Sequence, residues 1–216
     1  MPFGSFPRVP ARAWLTIGIA LWLVATAAGL KGLLDYQTAA GSPANPPESW
    51  PTSANFPIAH RGPTLLVIAH PRCPCTRATI EELAKIMARA RGSIGASVIF
   101  VVPRGLDPKW AETDMYRAAS AIPGVHTYLD TDGEIARRFG AATSGQALLY
   151  GADGRLRFAG GITMGRGHGG DNPGSDAIVS IINSHSVKLA STPVFGCELA
   201  SPSSRTVEGG KSKWVN

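Results

Sequence analysis

Apolar residues are distributed along this chain in three successive patterns. Residues 13–30 form an uncharged apolar run between Arg12 and Lys31, which is long enough to cross a bilayer. A proline-rich stretch follows at residues 34–62, and beyond it short apolar runs alternate with segments of helical period. The pattern therefore predicts an apolar N-terminal helix, a linker and one globular domain.

The globular part is predicted to contain nine elements in the order βαβαβαββα. Residues 64–70 and 97–102 are continuous apolar runs of strand length, which is typical of buried strands. Residues 75–91 carry apolar side chains on one helical face, and residues 108–121 predict a second helix with proline in its first turn. The other predicted elements are a strand at 125–129, a helix at 132–139, strands at 147–150 and 156–159, and a helix at 176–188.

The charges around the apolar segment predict its orientation in a membrane. Arg8 and Arg12 precede it, whereas residues 33–59 contain no Lys or Arg, so the positive-inside rule places residues 1–12 in the cytoplasm. For residues 13–33 a cleaved signal peptide is the alternative to an anchor, because Ala-Thr-Ala at 25–27 fits a cleavage site. Both interpretations place the rest of the chain outside the cytoplasm. The anchor interpretation predicts a single-pass protein of the cytoplasmic membrane with a periplasmic domain.

Residues 34–62 are predicted to form an extended, semi-rigid spacer. This composition, with small and polar residues between the prolines, is not typical of a packed element. The spacer is therefore expected to hold the domain away from the membrane, while Trp50 and Phe56 touch the nearest apolar surface. The prolines are Pro43, Pro46, Pro47, Pro51 and Pro57.

Composition and charge exclude several classes of protein. With 44% hydrophobic and 17% charged residues, the chain has the composition of a globular protein rather than a disordered one. The net charge is +6, but the 21 Lys and Arg are scattered, so no dense basic block exists to bind nucleic acid. Three cysteines are too few for a disulfide scaffold. The cysteines are therefore available for chemistry, and a membrane is the partner that the charge favours.

Two of the cysteines, Cys73 and Cys75, lie between the first predicted strand and the first predicted helix. A thiol at a helix N-terminus lies at the positive end of the helix dipole, near unpaired backbone N–H groups, and both favour the thiolate. His70, Arg72 and Arg77 add positive charge and are expected to stabilise that thiolate. We therefore expect a lowered pKa for Cys73, as a nucleophile in disulfide exchange requires.

This order of elements, with a strand running directly into a cysteine-bearing helix, resembles the thioredoxin fold over about residues 60–190. Three strings resemble the RedB family in particular. They are HPRCPCT at 70–76, RGHGGDN at 166–172 and TPVFGC at 192–197. The resemblance implies a thioredoxin-like α/β domain at residues 63–190 with a central mixed sheet, tethered outside the cytoplasm by an N-terminal transmembrane helix. It also implies protein thiols or disulfides as partners, an unidentified electron donor and no cofactor.

The spacing of the first two cysteines departs from the thioredoxin pattern. Pro74 alone separates Cys73 from Cys75, whereas the usual pair is two residues apart. An alignment without a gap makes Cys73 the nucleophile and puts Thr76 where the resolving cysteine would be, so Cys75 is the expected resolving thiol. A disulfide between these cysteines closes a small ring, and its strain is expected to raise the reduction potential.

The loop before the fourth strand also departs from that pattern. Thioredoxin-like proteins usually carry there a cis-proline that faces the cysteines, whereas this chain has Thr143, Ser144 and Gly145. The resemblance implies that these residues form the substrate-facing loop, but without the proline that usually clamps a substrate there. Gly145 could still allow close approach of a backbone.

The third cysteine, Cys197, lies in the C-terminal tail at 191–216. As a small hydrophobic residue it could anchor Val194 and Phe195 to the domain. In an oxidising compartment it could instead be a resolving partner for Cys73 or Cys75, since an unpaired thiol there is otherwise a liability. The sequence does not choose between these interpretations.

Two other classes of function remain open at this stage. His168 lies in the glycine-rich segment at 160–174, and with Cys73 and Cys75 it forms a ligand set like that of Sco-type copper chaperones. Those proteins separate their cysteines by three residues, so the match is partial. The third interpretation is a non-catalytic thioredoxin-fold module whose cysteines form a static disulfide.

Overall fold

The structure is a computed structural model that describes residues 10–52, 61–184 and 189–199. The chain divides into two units, Met1–Thr38 and Ala39–Asn216. The described part of the first unit is one helix, α1 (Ala11–Thr38), which is long and apolar enough to cross a membrane. It continues past the predicted end at residue 33, because no proline interrupts it and Lys31 pairs with Asp35 one turn later.

The second unit contains the predicted order of strands and α-helices, with one additional short 3-10 helix. Its elements are β1 (Thr64–Ala69), α2 (Pro74–Ala90), β2 (Gly95–Val102), the 3-10 helix (Pro108–Ala111), α3 (Asp114–Ser120), β3 (Val125–Thr131), α4 (Glu134–Arg138), β4 (Gln146–Tyr150), β5 (Leu156–Gly160) and α5 (Pro173–Ser184). Gly140 follows α4 with a φ of 59°, a left-handed conformation that favours glycine and ends the helix.

The five strands form one mixed sheet in the order β3-β2-β1-β4-β5. The strands β1, β2 and β3 are parallel, while β4 is antiparallel to both β1 and β5. Ile68 near the end of β1 pairs with Gln146 at the start of β4. The loop that enters β4 therefore lies at the same end of the strands as the connection from β1 to α2. This α/β architecture confirms the predicted thioredoxin-like fold.

The central strands are apolar throughout because both faces of the sheet are covered. On one face, Leu65 and Val67 pack in a core with α2 and α5. On the other face, Leu66 and Ile68 pack in a second core that includes α4 and Phe139. A strand buried on both sides has no polar alternation, which explains the continuous apolar run at residues 64–69.

The helix predicted at residues 108–121 is divided into the 3-10 helix and α3. Thr113 causes the division, because it has an extended backbone and its side chain accepts a hydrogen bond from the backbone N–H of Tyr116. The Thr113 hydroxyl also donates to the carbonyl of Pro71, at 3.0 Å. Thr113, the residue between the two helices, thus joins the start of α3 to the loop that precedes the cysteines.

The beginning of the proline-rich stretch lies against the domain, whereas its composition predicted an extended, semi-rigid spacer that touches an apolar surface only through Trp50 and Phe56. Backbone hydrogen bonds join Asn45 to Gly140 and Trp50 to Gly154. The Trp50 ring also packs edge-on against Phe139, with 5.2 Å between ring centroids. Prolines leave few internal hydrogen bonds in this segment, so its remaining N–H groups pair with the domain instead. Phe56 lies outside the described residues.

Candidate active site

Cys73 is the N-cap residue of α2, at the end of the short connection from β1. Its backbone N–H donates to the carbonyl of His70 at 3.2 Å, and its own carbonyl accepts from the N–H of Thr76 at 2.9 Å. Pro74 occupies the first helical position, where its missing N–H costs nothing. The local sequence therefore fixes Cys73 at the positive end of α2, as the periodicity predicted.

The three cysteines meet at this helix start as free thiols. The Sγ atoms of Cys73 and Cys197 are 2.9 Å apart, although 124 residues separate them in the sequence. Cys75, in the first turn of α2, also interacts with Cys73 through its thiol and its backbone. Cys73 is the buried member of the group, with 2% of its surface exposed, whereas Cys75 is half-buried and Cys197 is exposed.

The surroundings favour ionisation of Cys73 over the other two thiols. Burial alone disfavours its thiolate, but hydrogen bonds from Cys197 and then from Cys75 outweigh burial and lower the pKa of Cys73. Burial and the neighbouring Cys73 sulfur raise the pKa of Cys75. The same two causes raise the pKa of Cys197. Of the three thiols, Cys73 is thus the one whose ionisation is favoured, and Cys197 and Cys75 lie where they can donate to its sulfur.

The loop before β4 faces this helix start through a set of hydroxyl hydrogen bonds. The Ser144 Oγ atom accepts from the backbone N–H of His70 at 2.9 Å and lies 3.1 Å from the Oγ1 atom of Thr76. The Thr76 hydroxyl donates to the His70 carbonyl, so Ser144 is the donor to Thr76. Gly145 follows with a φ of 92° and donates to the Ile68 carbonyl. Every peptide bond in the described residues is trans, and the close approach of a partner backbone at Gly145 stays a prediction.

The glycine-rich segment after β5 also returns to the cysteines. Its Arg166 guanidinium donates to the carbonyl of Gly196, next to Cys197. The positive charge of Arg166 lowers the pKa of both Cys75 and Cys197, opposing the stronger effects of burial and of Cys73. The backbone of Gly167 acts on Cys75 in the same direction. Arg166 is therefore the cation of this site.

A buried carboxylate holds the same segment against α2. Glu82 has only 3% of its side chain exposed, and its oxygens accept hydrogen bonds from Lys85 and from the backbone N–H of Gly170. Asn172 donates to the other carboxylate oxygen and also to Ser175 at the start of α5. Because a buried carboxylate without partners would be costly, these contacts fix the loop over the N-terminal half of α2.

The side chains predicted to stabilise the thiolate make other contacts. The Arg72 guanidinium lies over the Trp110 ring, 4.7 Å from its centroid. Arg77 forms an exposed ion pair with Asp114. Burial, and then the charge of Arg72, lower the pKa of His70, so its imidazole is held neutral. The largest effects that lower the pKa of Cys73 come instead from Cys197 and Cys75.

His168 is exposed, and its backbone N–H donates to Gly165 within a tight turn. Among the described residues, no group of three or more His, Cys, Asp or Glu side chains is arranged to hold a metal ion. The ligand set of Cys73, Cys75 and His168 is therefore not assembled here.

Sequence reasoning did not assign a role to Arg166, Thr76 or Glu82 in the site. The available signals were Arg166 in a glycine-rich segment and Glu82 on the apolar face of α2. Neither signal shows that the segment after β5 folds back onto the cysteines, because that contact depends on the packing of residues that are distant in the sequence.

No model of a known protein family matches this chain, and no curated protein matches it. Among solved structures, it is similar to a hypothetical protein from Sinorhizobium meliloti 1021, with 22% identity over 64% of this chain and 79% of the other, at a TM-score of 0.51. An uncharacterized conserved protein from Geobacillus kaustophilus shares 15% identity over 77% of this chain and 94% of the other, at 0.54. These two likenesses concern the fold alone.

A third similar structure is a secreted disulfide oxidoreductase of Mycobacterium tuberculosis, described as homologous to E. coli DsbE. It shares 22% identity over 44% of this chain and 66% of the other, at a TM-score of 0.37. The strand order and directions of the sheet are those of a thioredoxin-like fold.

Proposed function

We propose that this chain is a membrane-anchored, extracytoplasmic thiol–disulfide oxidoreductase whose nucleophile is Cys73. The observation that carries the proposal is the buried Cys73 thiol at the start of α2, with a lowered pKa and two other thiols against it. A thiolate is the species that attacks a disulfide, and a second thiol is needed to resolve the resulting mixed disulfide. The thioredoxin-like fold supports this chemistry, and α1 supports attachment to a membrane.

The proposed reaction is a two-electron exchange with a protein disulfide. The Cys73 thiolate attacks one sulfur of the partner, which forms a mixed disulfide and releases the other partner sulfur as a thiolate that takes a proton. Attack by a second cysteine of this chain then forms an internal disulfide and releases the second partner thiol. Cys75 is the resolving thiol that the sequence favours. An unidentified thiol donor would reduce the protein again.

Three segments support a finer assignment to a RedB-like protein. The strings at 70–76, 166–172 and 192–197 contribute Cys73, Arg166 and Cys197, which lie together around one site. Cys73 contacts Cys197, and Arg166 binds the residue before Cys197. This convergence of the three strings on one site supports a shared role for them. We extend the proposal to a periplasmic location on this basis.

Reduction of insulin by dithiothreitol tests the proposed function, with the full chain in detergent micelles as catalyst. We expect the wild-type chain to accelerate the reaction and Cys73→Ser to give the uncatalysed rate, because the attacking sulfur is gone. Thr131→Ser, an exposed change at the end of β3, is the matched control and should keep full activity. Equal rates for wild type and Cys73→Ser would refute the proposal and favour a static-disulfide module.

A further inference from the structure

The C-terminal segment at residues 194–199 lies as an added strand along the loop before β4. The Ser144 N–H donates to the Cys197 carbonyl and the Leu199 N–H donates to the Ala142 carbonyl, both at 2.8 Å. Between them, Thr143 and Glu198 form an antiparallel bridge. This is the pairing by which an extended peptide adds to the edge of a sheet.

The same segment is held from two other directions. Arg166 donates to the carbonyl of Gly196, and the N–H of Gly41 donates to the carbonyl of Val194 at 2.8 Å. Ser42 donates to the Glu198 carboxylate. A Cβ atom at Gly196 would overlap the carbonyl oxygen of Ser144, so only glycine allows this approach. Residues 194–199 are therefore packed closely against the loop before β4.

This docking determines what can reach the nucleophile. It places the Cys197 sulfur against Cys73, which is 2% exposed. A partner protein whose backbone paired with Ser144 and Ala142 would need the positions that Cys197 and Leu199 fill. A partner sulfur could therefore meet Cys73 only after the segment has moved away.

We propose that residues 194–199 are a built-in ligand of the active-site loop, which covers Cys73 in the reduced protein and supplies Cys197 as its disulfide partner. The proposal rests on the proposed function, since it assigns the second thiol of that exchange. An extended, cysteine-bearing segment of a partner protein competes with residues 194–199 for the loop. In this scheme Cys75 is a hydrogen-bond donor to the Cys73 thiolate rather than the resolving thiol.

The exchange balances with Cys197 in this role. After the segment undocks, the Cys73 thiolate attacks a partner disulfide, forming a mixed disulfide and releasing one partner thiolate, which is protonated. When the segment docks again, the Cys197 thiolate attacks the Cys73 sulfur and displaces the second partner thiolate. One partner disulfide becomes two thiols, and two thiols of this chain become the Cys73–Cys197 disulfide.

Geometry favours Cys197 over Cys75 as the thiol that completes this step. Cys75 is two residues from Cys73 in the same helical turn, so their disulfide would close a small strained ring around Pro74. Cys197 comes from a separate segment and already contacts the Cys73 sulfur. The Cys73 charge helps to keep Cys197 protonated, and a mixed disulfide at Cys73 removes that charge. Cys197 thus becomes easier to ionise when it must attack.

Disulfide mapping tests the assignment of the partner thiol. The reduced full chain in detergent is oxidised with glutathione disulfide, alkylated, and digested with trypsin without reduction. Cleavage after Arg72 and Arg77 releases peptide 73–77, and cleavage after Lys188 and Arg205 releases peptide 189–205. We expect these two peptides to be linked in wild type and in Cys75→Ser, and unlinked in Cys73→Ser.

The contrary outcomes of the mapping have different meanings. An internal disulfide within peptide 73–77, with Cys197 alkylated, would overturn the inference while leaving Cys73 as the nucleophile of the proposed function. Failure of glutathione disulfide to oxidise any cysteine would contradict the proposed function and the inference together.

Alkylation of Cys73 by iodoacetamide tests whether the docked segment covers it. Gly196→Ala introduces the overlap with Ser144, whereas Gly95→Ala at the start of β2 meets no atom within 4 Å and is the matched control. We expect the limiting rate for Cys73, measured above its pKa, to rise at least about tenfold in Gly196→Ala and to stay unchanged in Gly95→Ala. Equal rates in the two variants would overturn the role of the segment as a cover.

Discussion

Removal of the Cys197 thiol should raise the pKa of Cys73. In the folded protein, hydrogen bonding from Cys197 is the largest of the effects that favour the Cys73 thiolate, and it acts against burial. Cys197→Ala removes the sulfur 2.9 Å away and keeps the backbone that docks the segment. A hydrogen bond to a charged group contributes about 1.5–3 kcal/mol. The thiolate fraction of Cys73 at pH 6 should therefore fall by about tenfold to a hundredfold.

The assay is the ultraviolet absorbance of thiolates in the reduced full chain, followed as a function of pH. The first titration step should belong to Cys73, disappear in Cys73→Ser and move to higher pH in Cys197→Ala. Cys197→Ser retains a hydroxyl donor and should move that step less. Because Cys75 contributes less to the lowered pKa of Cys73, Cys75→Ala should also have a smaller effect. An unchanged first step in Cys197→Ala, or a larger effect from Cys75→Ala, would refute this account of the activation.

Three further predictions concern other parts of the chain. A reporter fused after Asn216 should be active only outside the cytoplasm, and cytoplasmic activity would contradict the topology. His168→Ala should leave Cu(I) affinity, measured by competition with a chromophoric chelator, unchanged; a loss of more than about tenfold would favour the copper chaperone. Glu82→Ala should lower the free energy of unfolding in urea by about 1–3 kcal/mol, because the backbone N–H of Gly170 and the side-chain amide of Asn172 lose their buried acceptor. Glu81 is exposed, so Glu81→Ala is the control. A similar loss of unfolding free energy in both variants would show that burial of Glu82 is not the cause.

The order of strands and helices could be predicted because its signals are local. The apolar run at 64–70 needed only its length and its following proline to indicate a buried strand. The division at Thr113 could not be predicted in this way, because the Thr113 hydroxyl binds Pro71, which is distant in the sequence. The proline-rich segment at 40–50 was misjudged for a related reason, since its partners lie in the loops around Gly140 and Gly154.

The site could be predicted in part. The position of Cys73 at a helix start follows from a strand, a cysteine and a helical stripe in sequence, so its activation was expected. The source of that activation was not, because Cys197 is 124 residues away and reaches Cys73 only through pairing with the loop at Ser144. Arg72 and Arg77 are nearby in sequence, but their guanidinium groups bind Trp110 and Asp114 instead.

In the proposed function, Cys73 is the thiol that attacks a disulfide. A direct test compares three double variants that each retain one cysteine, all carrying Gly196→Ala so that the docked segment no longer covers Cys73. Each is mixed at pH 6 with glutathione disulfide, and the rate of adduct formation is measured in intact-mass spectra. We predict the fastest adduct in Cys75→Ser/Cys197→Ser, where Cys73 remains and serine hydroxyls replace its donors. Faster reaction of Cys75 in Cys73→Ser/Cys197→Ser, or of Cys197 in Cys73→Ser/Cys75→Ser, would contradict the assignment of the nucleophile.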